Sequence, residues 1–256
     1  MCTVILDIAP GSPVLLAGIR DELMDRPWEG PGRHWPDHPG LVGGRDLQAG
    51  GTWLALAPAA SRVACVLNGR GRPAPPASRR SRGVLPLEAA EEGKLNVAAV
   101  ADFDPFHLLI VEEQAALLWS WDGERLAEQE LAAGLHIVVN SGSGDDPLAM
   151  EHERARVAHF LPRFRAAPRP DPRPGDTVGD AWGAWLPLVD GDGIGPEDPR
   201  SLIMRRELDG GRVFGTTSVS LIALPAEGPS GPPAGGPRYD FTGSPGDPGA
   251  WYPVHL

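Results

Sequence analysis

Lysine is all but missing from this chain. Lys94 stands beside 22 arginines, and together they are outnumbered by 34 acidic residues. The formal net charge is −11 over 256 residues. A balance of that sign argues against a general nucleic-acid binder and makes an anionic membrane surface a poor partner. Two cysteines, Cys2 and Cys65, are too few for a disulfide framework. No apolar run approaches the roughly 18 residues that a transmembrane helix needs. No basic stretch followed by a long apolar core opens the chain, so no secretory signal is expected. A reducing cytoplasm is the compartment these absences predict.

What is present is a globular composition, with 41% hydrophobic and 22% charged residues. The length suits one large domain with a sizeable core, read here as a single domain over residues 1–256. Thr3 to Ile8 and Val14 to Ile19 are apolar and β-rich, and the turn Ala9-Pro10-Gly11-Ser12-Pro13 separates them; they read as a hairpin of buried strands. Gly50 to Leu56 and Arg62 to Leu67 read as a second pair. Leu85 to Gly93 reads as a short helix, Phe106 to Val111 and Ala115 to Trp121 as joined strands, and His136 to Asn140 as another strand. A helix is expected from Asp146-Pro147 to about Phe160. The prolines of Ala166 to Gly175 exclude a regular element. Late strands are expected at Thr216 to Leu224 and Tyr239 to Thr242. Strands early, helices in the middle and strands late suit a layered, sheet-rich domain better than alternating βαβ units.

The chemistry starts at the terminus. Cys2 follows the initiator Met1, and its small side chain allows that methionine to be removed. The product carries a thiol and a free α-amine on one residue. An α-amine titrates near 7.7–8.0 (about neutral), so it can act as the base beside its own nucleophile. In a hairpin, the start of the first strand lies beside the end of the second. Arg20 and Asp21 therefore come next to Cys2, where Arg20 favours the thiolate and Asp21 accepts hydrogen bonds from the α-ammonium. The plainer reading of the same residues is a frayed terminus next to a surface ion pair.

Taken in order, several blocks resemble the NRDE family, also known as the transport and Golgi organization family. They are Met1-Cys2-Thr3, Leu15 to Glu22, Arg26-Pro27, Gly43 to Leu54, Leu67-Asn68, Arg80 to Gly83, Phe103 to Leu109, Val138 to Asn140 and Phe214 to Thr216. The resemblance implies an α+β fold, the four-layer αββα sandwich of N-terminal-nucleophile hydrolases. It implies Cys2 as nucleophile with Arg20 and Asp21 beside it, and Asn68 and Asn140 as amide donors near the nucleophile. A turn role at strand ends accounts for the two asparagines as well. The chain departs from the family pattern at Ile19, at His107, at Thr217 and Val219, and at Asp145 to Leu148. Thr217 stands where the family has an arginine, and in related acylases such an arginine belongs to the catalytic cluster.

Other candidates divide the same way. His152 and His159 share a helix face without the spacing of a zinc pair, and no metal or cofactor is expected for the enzyme. The arginines of the Gly69 to Arg82 loop are either solvated or guard a pocket mouth. Trp28, Trp35 and Trp53 pack a core or line an apolar pocket, and Cys65 is an inert core thiol. Two functions follow. The first is hydrolysis of a non-peptide C–N (amide) bond, or acyl transfer, on a small-molecule acyl amide. The second is non-catalytic binding and trafficking of haem or a lipid-like acyl-CoA ligand on the same fold.

Overall fold

A computed structural model describes residues 3–113, 115–143, 149–226 and 235–256. Among these, the strands form two antiparallel sheets, numbered here along the chain. The first sheet runs, in spatial order, β11 (Gly142–Ser143), β10 (Gly134–Val139), β1 (Thr3–Ile8), β2 (Val14–Leu23), β13 (Val213–Leu224), β14 (Arg238–Thr242) and β15 (Tyr252–Pro253), with β12 (Arg205–Glu207) also paired to β13. The second is a meander of β3 (Trp28–Gly32), β4 (Val42–Asp46), β5 (Leu54–Ala57), β6 (Arg62–Asn68), β7 (Phe106–Val111), β8 (Ala116–Trp121) and β9 (Leu126–Glu130). The helices are α1 (Leu85–Glu92), α2 (Glu151–Ala166), α3 (Val178–Trp182) and α4 (Trp185–Val189).

Alternation along the strands builds the layers. Side chains of a strand point to opposite faces in turn. On β1, Val4, Leu6 and Ile8 enter the core between the sheets, while Ile5 faces the helices. On β6, Val63, Cys65 and Leu67 enter the same central core, while Ala64 and Val66 face the other way. The outer face of the first sheet is covered by Phe160 and Phe164 of α2, Trp182 of α3 and Trp185 of α4. The outer face of the second is covered by Leu85, Leu87, Ala89 and Ala90 of α1. Both sheets are thus buried on both sides, which is why their strands read as nearly continuous apolar runs. The fold is the expected αββα sandwich.

Several elements differ from the sequence pattern, some of them for evident physical reasons. The strand expected over Gly50 to Leu56 begins only at Leu54. Gly50 takes a left-handed turn at φ 76°, and the Thr52 hydroxyl hydrogen-bonds within the segment, donating to the Gly44 and Leu54 carbonyls. The central helix starts at Glu151, its first turn closed by Glu153 accepting the Met150 N–H at 2.8 Å, and it runs through Pro162 to Ala166. The expected start at Asp146-Pro147 lies outside the described residues. A proline inside a helix costs about 3 kcal/mol. Phe164, buried against Trp185 with ring centroids 5.0 Å apart, offsets much of that loss. β3 carries Gly30, Pro31 and Gly32, residues that weaken a strand, and it is tolerated at the edge of its sheet. No helix among the described residues is long and apolar enough to cross a membrane.

Candidate active site

The site forms where β1 begins. β1 pairs with β2 so that Thr3 lies opposite Ile19, and Arg20 and Asp21 are the next residues along β2. Cys2 itself lies outside the described residues. On its other side β2 pairs with β13, where Asp21 faces Thr216 and Arg20 faces Ser218. Thr217 is the extra residue of a bulge between them. A bulge locally re-aims side chains, and Thr217 uses it to meet Arg20. Its Oγ1 accepts a hydrogen bond from Arg20 Nη1 at 2.7 Å. The position at which the family pattern has an arginine therefore serves here to hold a different one.

Arg20 and Asp21, as neighbours on a strand, face opposite sides of the sheet. Arg20 points toward the second sheet. Its guanidinium stacks 4.3 Å from the Trp53 ring centroid, and its Nη2 lies 3.5 Å from Asp46 Oδ2. Asp46 also accepts the backbone N–H groups of Gln48 and Ala49 and is paired with Arg26. Burial raises the Asp46 carboxyl, but the Arg26 hydrogen bond, the Ala49 N–H and the charges of Arg26 and Arg20 outweigh it. The group is left below the usual carboxylate range.

Asp21 points toward the helical layer. Thr216 Oγ1 donates to its Oδ1 at 2.7 Å, and Arg156 Nη1 lies 3.6 Å from its Oδ2. The same Arg156 nitrogen donates to Thr3 Oγ1 at 2.7 Å. Arg156 is 4% exposed and reaches the site from α2, whose buried face is Glu153, Arg156, Phe160 and Phe164. Glu153 is paired in turn with Arg70 at 2.9 Å, tying the loop after β6 to the helix. Both Arg20 and Asp21 are nearly fully buried.

Two cavities flank this step in β2. The larger, about 380 Å³, is lined by Arg20, Trp53, Asn68 and Arg82 among others. The smaller, about 140 Å³, is lined by Asp21, Asn140, His152 and Arg156 among others. The two asparagines are therefore placed in different cavities. Asn68 ends β6 and is exposed. Asn140 follows β10, and its buried Oδ1 has no hydrogen-bond partner among the described residues. Its carbonyl lies 3.2 Å from His107 Nε2, and His107 Nδ1 lies 2.8 Å from Ser120 Oγ.

The remaining candidates separate clearly. Cys65 is fully buried, and burial pushes its thiol up to about 12. Trp28 and Trp53 meet edge-on at 5.9 Å in and beside the central core, and Trp35 packs on the α1 side. His159 is held by Asp192 at 2.9 Å. The arginine loop divides: Arg79, Arg80 and Arg82 line the larger cavity, whereas Arg72 is an exposed partner of Glu124. The sequence reading missed Asp46, Arg156 and Thr216, and marked Thr217 only as a departure from the family pattern. The available signal for Arg156 was a charged pair, Glu153 and Arg156, in line with Phe160 and Phe164 on the apolar stripe of the helix.

Among solved structures, the Caenorhabditis elegans ortholog of N-acylethanolamine-hydrolyzing acid amidase is similar, with a TM-score of 0.50 at 11% identity, covering 86% of this chain and 92% of that one. That likeness is one of fold, the αββα sandwich. No curated protein matches. The model of the family described as transport and Golgi organisation 2 matches residues 1–161. Over half of the chain is covered by that match, and the chain belongs to the transport and Golgi organisation 2 family.

Proposed function

We propose that this protein is a cysteine N-terminal-nucleophile hydrolase that cleaves a non-peptide C–N (amide) bond, or transfers its acyl group. The observation that supports it most is the buried Arg20–Asp21 step beside the start of β1, with each residue held by its own partners on opposite faces of the sheet.

In this reading, removal of Met1 frees the α-amine of Cys2. The amine takes the thiol proton and the sulfur attacks the carbonyl carbon. The tetrahedral oxyanion is met by a side-chain amide from Asn68 or Asn140. Such a donor contributes about 3–4 kcal/mol to the transition state. The ammonium returns the proton to the leaving nitrogen, the C–N bond breaks and an amine departs. Water, deprotonated by the same α-amine, attacks the thioester; the acid leaves and the thiol is restored. An acceptor other than water gives acyl transfer. Arg20 favours the thiolate, and Asp21, steadied by Thr216 and Arg156, positions the ammonium.

The test is intact mass before and after brief iodoacetamide treatment near neutral pH. The expected result is loss of Met1 and fast labelling of Cys2. Cys65 is expected to stay unlabelled until the protein is unfolded, because its thiol is buried and protonated. Turnover of acyl amides is expected to vanish in Cys2→Ala. Retention of Met1, or a Cys2 no faster than a free thiol, overturns the proposal.

A further inference from the structure

The larger cavity carries more cations than the carboxylates in and around its wall pair. Five arginines line it, Arg20, Arg26, Arg79, Arg80 and Arg82, against three carboxylates, Glu22, Asp46 and Asp104. Two cations are in excess, in a chain whose net charge is −11. The pairings show where the excess sits. Arg26 and Arg20 share Asp46, Arg79 meets Asp104 at 3.2 Å, and Arg80 meets Glu88 at 3.2 Å behind the wall. Arg82 has no carboxylate within ion-pair distance among the described residues. Its Nη1 donates to the Pro105 carbonyl at 2.7 Å, which fixes the guanidinium while leaving other N–H groups to donate. Burial disfavours its charged form, and the charges of Asp104 and Glu22, beyond ion-pair distance, offset only part of that. The loop that carries it is anchored against the site, with Thr52 N–H donating to the Gly83 carbonyl at 2.8 Å.

A partly buried guanidinium with spare donors and, among the described residues, no carboxylate within ion-pair distance suits an anion, because a planar fork matches carboxylate and phosphate oxygens. A concave wall of one sign also concentrates counter-charged ligands. An uncharged acyl chain would instead meet a lining made mostly of charged side chains. We propose that this cavity binds an anionic group, a carboxylate or phosphate, on the substrate, with Arg82 as its principal donor and Arg79 and Arg80 at its rim. The assignment rests on the hydrolase reading for its link to Cys2, and its binding arm stands apart from that reading.

The test compares two alkylating agents of similar size, anionic iodoacetate and neutral iodoacetamide, on the full chain. Calorimetric titrations with glutarate and with inorganic phosphate run alongside. Relative to free cysteine, Cys2 is expected to favour iodoacetate by about tenfold, and Arg82→Gln is expected to abolish that preference. Arg82→Lys should restore part of it. Glutarate or phosphate is expected to bind and to protect Cys2, and the tighter of the two identifies the group. If Arg82→Gln does not fold, Arg79→Gln at the exposed rim should cost about two- to threefold in anion affinity, on the scale of an exposed ion pair. Fast iodoacetamide labelling without anion preference or anion binding overturns the anion site and leaves the hydrolase reading intact. Slow labelling by both agents overturns the hydrolase reading. The titrations then decide the anion site alone: binding that falls with Arg82→Gln supports it, and no binding overturns it.

Discussion

At the scale of single residues, the site is organised by sharing. Asp46 serves Arg20, Arg26 and two backbone N–H groups at once, and its carboxyl is held below its ordinary value of 3.8. A carboxyl lowered on folding contributes stability that is full above the unfolded value and is lost as pH falls through the lower folded value. The urea midpoint of the native protein is therefore expected to drop as pH falls from 3.8 downward. Asp46→Asn should be less stable at neutral pH and should show a shallower drop across that window. Equal drops in the two proteins would show that Asp46 is not the group responsible. The placing of Arg20 and Asp21 beside the start of β1 was legible, because a hairpin brings those positions together in any register near the observed one. Asp46 was not, since its contact with Arg20 spans two different sheets.

At the scale of elements, close packing of backbone decides what the sequence pattern leaves open. A Cβ on Gly51 would lie 2.5 Å from the Gly83 carbonyl group, so neither segment has room to give. Gly51→Ala is expected to cost about 1–3 kcal/mol by overpacking, read as a lower urea midpoint. Because Gly83 neighbours Arg82, the variant should also weaken glutarate or phosphate binding. Unchanged binding with lowered stability would mean that the Arg82 loop is placed independently of that contact. The buried strands were readable from their apolar, β-branched runs. β3 was not, because glycine and proline mask an edge strand. The last turn of α2 was not, because Phe164 is stabilised by Trp185, a residue distant in sequence.

At the scale of the whole molecule, residues from both sheets share one central core, with Val4, Leu6 and Leu16 from one side and Leu54, Val63 and Leu109 from the other. Neither sheet can keep its inner face dry without the other. We expect a single urea transition in which far-UV circular dichroism and tryptophan fluorescence coincide. Two separated transitions would show that the sheets or their helical covers unfold as independent units. The sequence alone determined that the protein is sheet-rich and layered, and that Arg20 and Asp21 lie close to the start of β1, because periodicity and hairpin pairing are local properties of the chain. Only the tertiary structure decided that Arg20 and Asp21 face different cavities, that Thr217 and Arg156 are recruited to them, and that Arg82 has no carboxylate within ion-pair distance among the described residues. Those facts depend on which residues of distant strands, loops and helices are brought within a few ångströms. Such proximity is set by the closing of two sheets on one core, and it leaves no trace in sequence spacing.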